Sequence, residues 1–79
     1  MRCRNMQIYE AIKQIRTELG LTQVTFAQKL HVSFSTVNRW ENGRVKPNRL
    51  ATIMIISLAE ETAVNNDAVS LLKSTVEGV

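Results

Sequence analysis

Two short helical patterns stand so close together in residues 21–43 that the chain between them must turn sharply. The first pattern is apolar on one face and ends at Leu30. Ser33 is placed to cap the second pattern, which is apolar on one face and polar on the other. The turn is therefore confined to His31 and Val32, and this confinement limits the folds open to the chain.

Several residue groups in this stretch keep a common register: Leu21-Thr22-Gln23, Phe26-Ala27, Val32-Ser33, Thr36-Val37 and Trp40-Glu41-Asn42-Gly43. In this register the chain resembles the phage-repressor and Cro-type helix-turn-helix family over roughly residues 6–60. The resemblance implies an all-α, lambda-repressor-like fold, a compact bundle of about five helices. It also implies binding to double-stranded DNA as a homodimer, with the second helix of the motif in the major groove.

Apolar periodicity predicts a first helix over residues 6–19, ended by Gly20 in a left-handed conformation. Thr22 is expected to cap the second helix, with a weaker reciprocal cap because Thr25 replaces the acidic residue that the resemblance implies. His31 stands where the resemblance implies a glycine with positive φ. A strained but tolerable turn is expected there, in preference to a pH-sensitive phosphate contact or a metal ligand.

The third helix is predicted from its cap Ser33 to Asn42, with Val37 and Trp40 in the core and Gly43 just beyond its end. Its opposite face is polar, so the helix depends on these two apolar residues for its stability.

Pro47 is expected in the first turn of a fourth helix that extends to Glu61 and is apolar nearly all round. Its predicted stripe is Leu50, Met54 and Leu58, beside Ile53, with Ile55 and Ile56 outside it. A last helix, capped by Asn66 or Asp67, is expected to run to about Val76 with the stripe Val69, Leu72 and Val76.

The length of 79 residues predicts a single domain, 1–79, with the helix-turn-helix at about residues 22–43 and frayed segments at 1–5 and 77–79. Cys3 alone allows no internal disulfide, and no secretory leader or membrane span is apparent, so a cytoplasmic location is expected. The single histidine and the scattered carboxylates predict no metal, no cofactor and no enzymatic activity.

The net charge of +3 is unevenly distributed. Residues 29–49 hold five basic residues and one acidic residue, whereas residues 50–79 hold one lysine and four acidic residues. The basic charge therefore coincides with the motif and the loop after it, where phosphates would lie. A simply solvated surface is the alternative explanation.

The positions expected to face bases are Ser33, Phe34, Ser35 and Arg39, which match the family, and Asn38 on the same outward face. Arg39 can donate two hydrogen bonds to guanine O6 and N7, while the Ser35 hydroxyl specifies only weakly. Phe34 can meet a thymine methyl group, or can instead pack against a neighbouring side chain or a partner.

A second set of residues is expected to contact phosphates. Gln23, at the start of the second helix, matches a family position that binds the DNA backbone, and Asn42, Arg44 and Lys46 follow along the adjacent strand. Arg16 and Glu41 match an ion pair that the family often buries beneath the recognition helix, although they could be two unrelated surface residues.

The function expected from these residues is a DNA-binding transcriptional regulator that acts as a homodimer on a near-palindromic site. An alternative is an antitoxin or adaptor that holds a protein partner with its apolar fourth helix and acidic C-terminal part. A third hypothesis is the DNA-targeting domain of a larger assembly.

Overall fold

The computed structural model describes residues 6–62 and 67–77. Within these residues the chain forms helices and no strands, which confirms the predicted all-α bundle. The helices are α1 (Ile8–Glu18), α2 (Gln23–Leu30), α3 (Phe34–Glu41), α4 (Arg49–Glu61) and α5 (Asp67–Glu77).

The core forms where α1 packs between α3 and α5, and α4 closes the bundle against α5 and α2. Burying each large apolar side chain stabilises the fold by about 1.5–3 kcal/mol. The buried apolar residues are Ala11, Ile12, Ile15, Phe26, Ala27, Leu30, Val37, Trp40, Ile55, Ala59, Ala68, Val69 and Leu72.

Two threonines cap α2 reciprocally. The Thr25 backbone N–H donates to the Thr22 hydroxyl at 3.1 Å, and the Thr22 backbone N–H donates to the Thr25 hydroxyl at 2.9 Å. Thr25 therefore makes the hydrogen bond expected of an acidic residue, but without the charge that would interact favourably with the helix N-terminus.

The turn between α2 and α3 depends on one left-handed residue, as predicted. His31 has φ 61° and ψ 39°, and its N–H donates to the Gln28 carbonyl at 3.2 Å. The Val32 N–H donates to the Ala27 carbonyl at 3.0 Å. Backbone carbonyls at the end of α2 therefore accept hydrogen bonds although the chain changes direction there.

The predicted start of α4 was wrong by two residues. Asn48 is the N-cap, and its side-chain oxygen accepts from the Ala51 N–H at 2.8 Å, so Pro47 lies before the helix. An asparagine side chain satisfies a free N–H at a helix start, which a proline cannot do, and the helix therefore begins after Asn48.

The predicted stripe of α4 was wrong only in part, since Met54 and Leu58 are half-buried against the core. The buried residues are Thr52, Ile55 and Ala59, whereas Leu50 is 66% exposed. Ala59 is fully buried, and α4 packs against α5. The Thr52 hydroxyl donates to the Asn48 carbonyl at 2.9 Å, which allows a polar residue to be buried there.

On α5, Val69 and Leu72 of the predicted stripe are buried in the core together with Ala68, while Val76 is half-buried. The helix extends to Glu77, one residue beyond its predicted end. Cys3, the Asn66 cap and the expected fraying of residues 1–5 and 78–79 lie outside the described residues. None of the described helices is both long enough and apolar enough to cross a membrane.

The strain at His31 predicts opposite effects for two substitutions. His31→Gly should raise the free energy of unfolding by roughly 0.5 kcal/mol, because relief of left-handed strain outweighs the greater freedom of the unfolded chain. His31→Val should lower it by about 1–2 kcal/mol. Urea denaturation measures both effects.

Gly20→Ala is the matched control for the His31 variants. Gly20 also has positive φ, 74°, and an added Cβ would meet no atom within 4 Å, so any loss comes from the backbone alone. Destabilisation by His31→Gly would show instead that the imidazole itself supports the turn.

Candidate nucleic-acid interface

The core positions α3 through its two apolar residues. Val37 is fully buried and Trp40 is 4% exposed, as expected from the sequence. At the start of α3, the Thr36 N–H donates to the Ser33 hydroxyl at 3.2 Å, which confirms Ser33 as the cap. The inner face of α3 is therefore anchored, and its outer face is left open to solvent.

The residues predicted to face bases lie together on that outer face. Ser33, Phe34, Ser35 and Arg39 are exposed, and Phe34 keeps 49% of its surface accessible. The Ser33 hydroxyl lies 3.2 Å from the Ser35 hydroxyl, so two hydrogen-bonded hydroxyls lie at the start of α3. Asn38 differs from these residues because it is half-buried and hydrogen-bonded.

The chain leaves α3 through a closely packed glycine. Gly43 has φ 76°, and a Cβ at this position would lie 3.3 Å from the ring of Tyr9. Both the dihedral angle and the contact therefore favour glycine. Asn42 before it and Arg44 and Lys46 after it are exposed, so the predicted phosphate contacts after α3 all face solvent.

The predicted ion pair is present beneath α3. Arg16 donates from Nε to Glu41 Oε2 at 2.7 Å and from Nη2 to Glu41 Oε1 at 3.0 Å. Its remaining Nη1 donates to the Leu21 carbonyl at 2.9 Å. The side chains of Arg16 and Glu41 are only 13% and 4% exposed. One guanidinium therefore joins α1, the entry to α2 and the end of α3.

Three side-chain amides continue outward from Glu41, a feature that the sequence analysis missed. Gln23 Nε2 donates to Glu41 Oε1 at 3.0 Å, and Asn38 Nδ2 donates to Gln23 Oε1 at 3.2 Å. Asn42 Nδ2 then donates to Asn38 Oδ1 at 3.0 Å. Only the last link had a local sequence signal, since Asn38 and Asn42 are four residues apart on one helix face.

The arrangement suits binding more than catalysis. Its exposed groups are hydroxyls, amides and the cations Arg39, Arg44 and Lys46, which donate hydrogen bonds or attract anions. Among residues 6–62 and 67–77, no cluster of histidine, cysteine or carboxylate side chains is arranged to hold a metal ion.

Comparison with known proteins agrees with this geometry. The helix-turn-helix family profile matches residues 12–61, which span α2, the turn and α3 together with most of α1 and all of α4. The chain belongs to this family, the phage-repressor and Cro-type helix-turn-helix domains, a class of DNA-binding domain.

One relative is the HTH-type transcriptional activator BcrR of Enterococcus faecalis, 40% identical over 43 residues. The match covers 54% of this chain but 21% of the relative, so the chain spans about a fifth of that protein's length. No solved structure matches the chain significantly.

The burial of Glu41 predicts a large loss of stability when its side chain is removed. Glu41→Ala should lower the free energy of unfolding by about 3–5 kcal/mol, because the Arg16 guanidinium would remain buried without its carboxylate. Thermal and urea unfolding of the free protein measure this loss.

Glu60→Ala provides the control. Glu60 pairs with Lys73 at 2.6 Å on the surface, where the two side chains are 53% and 40% exposed, so its removal should cost about 0–1 kcal/mol. Equal effects of the two substitutions would contradict a special role for the buried pair.

Proposed function

We propose that this chain is a transcriptional regulator that binds duplex DNA sequence-specifically, with α3 in the major groove. The proposal rests on one observation: α3 is anchored by Val37, Trp40 and Glu41, while its first turn and outer face are exposed and, apart from Phe34, polar. A helix held rigidly on one face can present the other to base edges at low entropic cost. The relative described as a transcriptional activator supports the regulatory role.

In the proposed complex, two groups of residues act differently. Arg39 recognises a guanine through two hydrogen bonds from its guanidinium, while Ser35 and Phe34 contact neighbouring base edges near the start of α3. Arg44 and Lys46, on the loop after α3, bind phosphates and supply affinity without sequence preference. Ser33 contributes through its cap, which sets the angle at which the first turn meets the groove.

We also propose that the chain binds DNA as a homodimer. Leu50 is 66% exposed and Ile53 39% exposed on α4, which leaves apolar side chains in solvent after the core is complete. Val69 and Leu72 on α5 add nothing to this exposed apolar surface because the core buries them. To read two half-sites on one face of the duplex, such a dimer must hold its two copies of α3 about 34–36 Å apart, one turn of duplex.

Selection of bound sequences from a random duplex pool tests the proposed function directly. We expect an enriched motif made of two half-sites in inverted repeat, because a twofold dimer reads the same bases twice. Recovery of an unenriched pool would contradict sequence-specific binding, and a single isolated half-site would contradict the dimer.

Arg39→Ala should weaken binding to the selected site by about 1–3 kcal/mol and relax the preference at one base position per half-site. Arg39→Lys is the matched variant, because lysine keeps the positive charge but lacks the two parallel N–H donors of the guanidinium. It should retain affinity for random DNA while its base preference falls. An unchanged selected motif for Arg39→Ala would assign base reading to other residues.

Arg44→Ala and Lys46→Ala should weaken binding to every sequence. Each should reduce the slope of log affinity against log salt by about one, since each removes one cation from the phosphate backbone. Lys13→Ala, an exposed lysine on α1, is the control and should leave the slope unchanged. A changed base preference with an unchanged slope would place either residue in the base-reading set.

Sedimentation equilibrium of the protein, with and without duplex DNA, should show dimers. The Leu50→Glu variant should dimerise more weakly. The exposure of Leu50 makes loss of folding unexpected for this variant. A monomer at every concentration in both samples would assign the α4 surface to an unlike protein partner and favour the antitoxin or adaptor hypothesis.

A further inference from the structure

The hydrogen-bonded series Glu41, Gln23, Asn38 and Asn42, here called the amide relay, has only one chemically consistent direction. A carboxylate accepts hydrogen bonds and cannot donate them. Gln23 must therefore turn its NH₂ group towards Glu41, which leaves its carbonyl oxygen to face Asn38. Asn38 in turn must point its NH₂ group at Gln23 and its oxygen at Asn42.

Arg16 strengthens this directional preference. Its two hydrogen bonds hold both carboxylate oxygens of Glu41 in a side chain that is 4% exposed. A reversed Gln23 amide would place its oxygen against Glu41 Oε1 in a poorly solvated site, where the amide oxygen would have no donor and the carboxylate would keep only its Arg16 hydrogen bonds. The buried ion pair therefore sets the orientation of all three amides.

Each NH₂ group of the amide relay has two hydrogens, and the relay uses one of them. Gln23 and Asn38 are half-buried and Asn42 is exposed, so the relay leads from the core to the surface. Its outer member, Asn42, lies two residues before the exposed Arg44 in the chain. The relay thus ends at a surface where neutral N–H donors lie next to basic residues.

We propose that Asn38 is a positioning residue which, with Glu41, turns the second N–H of Gln23 and of Asn42 towards a DNA phosphate. Asn38 then serves backbone binding by orienting its two neighbours and does not read a base. This inference rests on the proposed DNA-binding function. Phosphate contacts by Gln23 and Asn42 were already expected from the sequence; the inference adds Asn38 as the residue that orients this neutral phosphate-binding strip, in a direction imposed by the buried Glu41 carboxylate.

Neutral donors have a distinct signature in salt titrations. A lysine or arginine that binds a phosphate releases a counterion, whereas an amide does not. Asn38→Ala should therefore weaken binding to a random-sequence duplex by about three- to tenfold, the range of one or two neutral hydrogen bonds, at every salt concentration. The salt slope and the base preference should stay unchanged.

A structural role alone would not produce the expected coupling. Asn38→Ala should weaken DNA binding less in the Asn42→Ala background than in the wild-type protein, because Asn38 acts partly through Asn42. In nuclear magnetic resonance spectra of the free protein, Asn38→Ala should shift the side-chain amide signals of both Gln23 and Asn42. Gln28→Ala, an exposed amide on α2, is the control and should change neither affinity nor these signals.

If Asn38→Ala unfolds at the working temperature, Asn42→Ala alone tests the strip, because Asn42 is exposed at its outer end. Weaker binding with an unchanged slope would support the proposal. Unchanged affinity, a slope reduced by about one, or an altered base preference would overturn it. Absence of duplex binding by the wild-type protein would instead overturn the proposed function, and the amide signals would still report whether the relay exists.

Discussion

A single buried carboxylate organises this small domain. Glu41 belongs to α3, yet its oxygens are held by a guanidinium from α1 and an amide from α2. Ion pairs at the surface of a protein contribute little because water and salt screen them. Here the side chains are largely removed from water, so the pair cannot be broken cheaply and the three helices keep a common geometry. The orientation of α3 thus depends on an electrostatic contact as well as on apolar packing.

Sequence patterns predicted the helices of the motif well because local interactions determine them. The caps Thr22 and Ser33 and the left-handed His31 each satisfy backbone groups within a few residues of themselves. The partnership of Arg16 and Glu41 was also predictable, but through resemblance to a family, since nothing local joins residues 25 positions apart. The amide relay was missed for the same reason, because Gln23 meets Asn38 only when α2 and α3 are folded together.

The errors on α4 have a different physical origin. The helix is apolar nearly all round, so its periodicity does not reveal which face meets the core. Packing against the other helices determines which face of α4 is buried: Ile55 and the small Ala59 are buried, whereas the larger Leu50 is exposed to solvent. Thr52 can be buried because its hydroxyl donates a hydrogen bond to the backbone carbonyl of Asn48, the N-cap of the same helix. Burial on such a helix follows from tertiary contact, which composition alone does not encode.

The division of α3 into two faces has a consequence for how this domain can diversify. Phe34, Ser35 and Arg39 are exposed and lie outside the contacts that anchor the helix, whereas Val37 and Trp40 carry those contacts. Exposed positions tolerate most substitutions within about 0.5 kcal/mol of stability. Under the proposed function, gene duplication followed by substitution at the outer face would generate copies with new DNA preferences while the scaffold stays intact, so recognition and foldability would evolve under nearly separate constraints.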